Sequence, residues 1–213
     1  MIARGHPDPL RAVHVRAGEA LTAIARLLQG GPLSAVGLDG PVRPDLTLTT
    51  RGRACERRLL RAPFHLHCKP GSTAAPMGQR LHAEATRLAR AIAQTHPGAR
   101  LVEAFPSAFL RTLLAEDAVG RVPRHRKSQV YWERCVADGV LARLVADLYG
   151  ADAPPIAARL IALTHRDQRA AAVCALTATS AARGDAVDVG DAEDGWISLA
   201  PRPFLADWAR AAL

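Results

Sequence analysis

Leu33-Ser34-Ala35-Val36-Gly37-Leu38-Asp39-Gly40-Pro41 is the stretch on which the fold turns. Its first six residues are almost all apolar, as in a strand covered on both faces, and Asp-Gly-Pro then closes it as a turn. Upstream, Ala12 to Arg16 alternates as a strand does. Glu19 to Leu28 then places Leu21, Ile24, Ala25 and Leu28 on one helical face before Gly30 and Gly31 stop it. Strand, helix, buried strand is the order of an α/β unit with parallel pairing.

Downstream the periodicity predicts a short helix over residues 51–61, with Arg53, Arg57 and Arg61 every four residues. Residues 62–78, punctuated by Pro and Gly without a period, read as a long loop. His82 to Gln94 is a helix ended by Pro97-Gly98. Leu101 to Phe105 is a strand broken by Pro106, and Ser107 is placed to cap the helix carrying Phe109, Leu110, Leu113 and Leu114. Residues 129–149 read as one helix with Val136, Val140, Leu144 and Leu148 in register. Pro154-Pro155 separates it from a helix over 156–163, and Thr164 opens another that runs to about Ala182. An acidic turn, a strand over Trp196–Leu199, a Pro-rich turn and a closing helix complete the chain, with Trp196 and Trp208 expected as core anchors.

The 213 residues predict a single domain, 1–213, large enough to bury about 70% of the extended chain's surface without disulfide or metal staples. Half the residues are hydrophobic (49%) and 23% are charged, which excludes a wholly disordered or collagen-like chain. The formal charge of +8 favours an anionic partner such as nucleic acid, discounted by a compositional bias of 26 Arg to 2 Lys. Cys55, Cys68, Cys135 and Cys174 form no CxxC pair, and no apolar leader or run of membrane-spanning length occurs. A reducing cytoplasm and no membrane partner are therefore expected.

Three acids stand where chemistry would need them. Asp39 follows a parallel-type strand, and ligands of open α/β sheets bind beyond the carboxyl ends of strands; its bland alternative is a turn aspartate. Glu103 interrupts an apolar strand, where a carboxylate is costly unless paired, metal-bound or turned to solvent on an edge. Asp167 sits in Thr164-His165-Arg166-Asp167, which has the form of a capping box, and shares a helical face with Ala170, Ala171, Cys174 and Ala178. Carboxylates converging from two strand ends and a helix start would repel one another unless cations such as Mg2+ or Mn2+ lay between them, and a pair of such ions is the standard arrangement for cleaving phosphodiesters.

Val36-Gly37-Leu38-Asp39-Gly40-Pro41, Arg53-Ala54-Cys55-Glu56-Arg57, Val102-Glu103-Ala104-Phe105-Pro106 and the stretch from Asp167 to Ala178 occur in that order. With Gly190-Asp191, Gly195-Trp196-Ile197 and Pro201 at the close, residues 33–201 resemble the family catalogued as domain of unknown function 429. The resemblance implies an RNase H-like fold, a mixed sheet flanked by helices with an acidic metal site. By position it implies Asp39, Glu103 and Asp167 as catalytic metal ligands and Lys127 and Arg134 as a basic pair between them. Such a fold begins with a hairpin, of which residues 12–16 supply a single strand, so part of the N-terminal hairpin is expected to be missing. Ala170 stands where relatives place an acid, which leaves Asp167 to serve one turn earlier.

Arg53, Arg57, Arg124, Arg126, Lys127 and Arg134 are the expected phosphate contacts, against the alternative of a solvated basic face. His65-Leu66-His67-Cys68 lacks the second ligand pair of a structural zinc site and reads as loop packing. No Gly-rich phosphate loop, nucleophile elbow or HExxH motif is present, which argues against nucleotide-dependent transferases, serine hydrolases and zinc proteases. The expected function is metal-dependent hydrolysis of phosphodiester bonds in nucleic acid. The alternative is a catalytically inactive RNase H-like module that binds nucleic acid or a protein partner.

Overall fold

The computed structural model describes residues 17–43, 46, 52–66, 68 and 72–213. Among these, four strands, β1 (Ala35–Leu38), β2 (Arg100–Ala104), β3 (Ala186–Asp191) and β4 (Gly195–Pro201), form one mixed sheet in the order β1-β2-β4-β3. β1 and β2 are parallel with Leu38 opposite Glu103; β2 and β4 are parallel with Glu103 opposite Ile197; β3 and β4 are an antiparallel hairpin. The α/β class and the parallel pairing of the strands ending at Asp39 and Glu103 are as the sequence predicts. The candidate strand at residues 12–16 lies outside the described residues.

β1 is not the fully buried strand its composition predicts. All four of its residues are half-buried, and among the described residues it is the outermost strand next to β2. Pleating sorts the sheet's side chains into two sets, since neighbours along a strand face opposite ways. One face meets α8 (Arg166–Arg183). Val102 packs there with Ala178 and Ala181, and Ala200 joins the core that α8 lines with Val173 and Leu176. Gly37 lets this helix approach, because a Cβ at that position would fall 2.1 Å from the Cys174 carbonyl oxygen. The other face carries Ile197, Leu199 and Val189 against Cys55 and Leu59 of α2 (Ala54–Leu59) and against Phe64.

Four α-helices between β2 and α8 extend the core that α8 lines into a larger apolar cluster beside the sheet. α1 (Ala20–Leu28) packs on α3 (Pro76–Thr95), which starts six residues before the predicted His82 because Pro76 suits the first turn of a helix. α4 (Pro106–Thr112) likewise begins on Pro106, with Phe105 rather than Ser107 in the capping position. The helix predicted over 129–149 is two, α5 (Lys127–Ala137) and α6 (Val140–Tyr149). Gly139 breaks it at a φ of 67°, a left-handed conformation that favours glycine. α7 (Ala153–Ile161) takes Pro154-Pro155 into its first turn, and α9 (Asp207–Ala212) closes the chain. Trp132, Leu144, Val145, Leu148, Ile156 and Leu160 fill this core.

The tryptophan and cysteine expectations part ways. Trp196 is 46% exposed, and Trp208 is half-buried, its ring centroid 5.4 Å from that of Phe64 and 4.7 Å from the Arg111 guanidinium carbon; Trp132 is the tryptophan the core encloses. All four cysteines are buried and unpaired. Among the described residues no helix is long and apolar enough to cross a membrane.

Candidate functional site

The carboxyl ends of β1 and β2 bring Asp39 and Glu103 onto adjacent strands, but not onto one face. Leu38 is the residue in register with Glu103, so Asp39, one residue further along, turns the opposite way. Asp39 remains exposed at the end of the sheet on the side of α8. The protein mass around it raises its carboxyl pKa to about 6, an effect that Arg166, at the start of α8, opposes.

Glu103 is 5% exposed and lies on the side of α2, where Arg53 meets it in a two-pronged ion pair. Arg53 donates from one terminal nitrogen to Oε2 at 2.7 Å and from the other to Oε1 at 2.6 Å. Its Nε donates to Glu56 Oε1 and to Thr73 Oγ1, both at 3.1 Å. Glu56 also accepts the backbone N–H of Arg53 at 3.2 Å, the backbone N–H of Thr73 at 3.0 Å and the Thr73 hydroxyl. Arg53, Glu56, Thr73 and Glu103 are each at most 5% exposed, so a guanidinium and two carboxylates are sealed under the sheet's end with each charge in hydrogen-bond contact. Burial pulls the Arg53 pKa down, but the bond to Glu103 more than restores it. Burial pushes the Glu103 carboxyl up, and Arg53 pulls it back.

The sequence assigned Arg53 to a phosphate-binding surface, and this is corrected. Arg53 is buried, and its fork is filled by the very acid predicted to hold a metal. Glu103 escapes the cost of burial through an ion pair rather than through a cation from solution or through exposure on an edge. The α2 segment is held in place by a further acid that the sequence reading left in a turn. Asp194 accepts the Ala54 N–H at 2.8 Å, and Asp191 in turn accepts the Asp194 N–H at 2.6 Å.

Asp167 does not join the other two acids. It is exposed in the first turn of α8, and its N–H donates to the ring of His165 at 3.3 Å, so His165 and not Thr164 caps the helix. The charge of α8 that reaches Asp39 is that of Arg166. Among the described residues no three His, Cys, Asp or Glu side chains come together as metal ligands. Both Glu103 oxygens are engaged by Arg53, the charge of Asp39 still reaches Glu103, and Asp167 is exposed in the first turn of α8.

The expected phosphate contacts are also scattered and largely spoken for. Arg57 donates to the Gly52 carbonyl at 2.6 Å and lies 3.6 Å from Asp194; Arg134 is paired with Asp138 at 2.9 Å. Lys127 is half-buried with its charge felt by Cys68, and Arg126 is exposed in the turn before α5. The side chain of Arg124 lies outside the described residues, as does His67 of the His65–Cys68 stretch. Comparison with protein-family models, with curated proteins and with solved structures finds no match to this chain.

Proposed function

We propose that the chain is an RNase H-like module that binds nucleic acid through its basic surface and whose acidic centre is closed by an internal cation, so that it does not cut its ligand with metal ions. The observation that carries this reading is the grip of Arg53 on both oxygens of Glu103. A guanidinium with this geometry supplies the positive charge that a buried carboxylate needs, and it occupies both oxygens of the acid that would have to hold a metal ion. The excess of eight positive charges supplies the long-range attraction to polyphosphate.

The second reading is Mg2+- or Mn2+-dependent phosphodiester hydrolysis with Asp39, Glu103 and Asp167 as ligands. It is favoured by the neighbouring positions of Asp39 and Glu103 at the ends of parallel strands. Calorimetric titration with Mn2+, beside nucleic-acid binding measured in EDTA, separates the two. Binding that persists in EDTA, with no heat from Mn2+, is the expected result. Stoichiometric Mn2+ binding that Asp39→Asn abolishes, together with cleavage of the bound strand, would overturn it in favour of the nuclease.

A further inference from the structure

We draw no further inference here: the strongest candidate, the half-buried outer edge of β1 (Ala35–Leu38) at the margin of the sheet that the described residues form, carries no proposal because nothing in the structure shows what covers it.

Discussion

The helical core and the ion cluster under the sheet's end are both buried, and they are built on opposite principles. In the core, Leu144, Val145, Leu148, Ile156 and Leu160 contribute area and volume; any one of them can be exchanged for a residue of similar size at small cost. In the cluster, Arg53, Glu56, Thr73 and Glu103 contribute charge and direction, and each is needed in its own position because the others are sealed with it. A core of the first kind is stable because it is large. A cluster of the second kind is a source of specificity, because strand end, loop and α2 meet correctly in one arrangement only.

The comparison breaks first at Arg53. Arg53→Met should cost about 3–5 kcal/mol in urea unfolding, because it strands two buried carboxylates, and adding Glu103→Leu should recover more than half of the loss. A loss below 1 kcal/mol would show that water reaches these acids. Leu144→Ala should cost about 3 kcal/mol with no such rescue from a second site, since it removes volume rather than a partner.

A subtler effect separates the two faces of the sheet. The Asp39 carboxyl, raised to about 6 in the fold from an ordinary 3.8, holds its proton more tightly folded than unfolded. The stability it contributes is complete below about pH 4 and is lost as pH rises through about 6. Asp39→Asn should gain on wild type over that window and run parallel to it above. Equal pH profiles for the two proteins would show that Asp39 is fully solvated. The smallest effect belongs to Arg134→Ala. Its pair with Asp138 has side chains 48% and 35% exposed, and its loss should change stability by under about 0.5 kcal/mol in the same melts.

Periodicity and punctuation made most helices and the parallel strands at Asp39 and Glu103 legible, because an apolar face repeats at a local interval whatever it packs against. What escaped was of two kinds. Gly139 inside a continuous apolar pattern reads equally as a tolerated interior glycine and as the left-handed break it proves to be. Ala186 to Asp191 alternates as a strand should, with Val187 and Val189 on one side, yet its acids draw the eye to a turn. The site escaped more thoroughly. That Glu103 needs a partner follows from its apolar surroundings. That the partner is Arg53, fifty positions upstream, is long-range information carried by no spacing, and the same contact removed Arg53 from the surface. Asp39 was assigned to the same site as Glu103 by adjacency of strands, while the one-residue offset in register sends it to the other side.

The four enclosed thiols turn the molecule into its own clock. Cys55 lies on α2, Cys68 in the loop beyond it, Cys135 on α5 and Cys174 on α8, and burial pushes the pKa of each thiol upward, to about 12 for Cys55 and Cys68. A thiol reagent modifies the thiolate, and does so only when the surrounding layer opens. The order in which the four positions are alkylated under native conditions therefore ranks the layers by their opening free energy. Cys174, pressed against Gly37, dates the parting of α8 from the sheet, and Cys55 dates the release of the segment that carries Arg53.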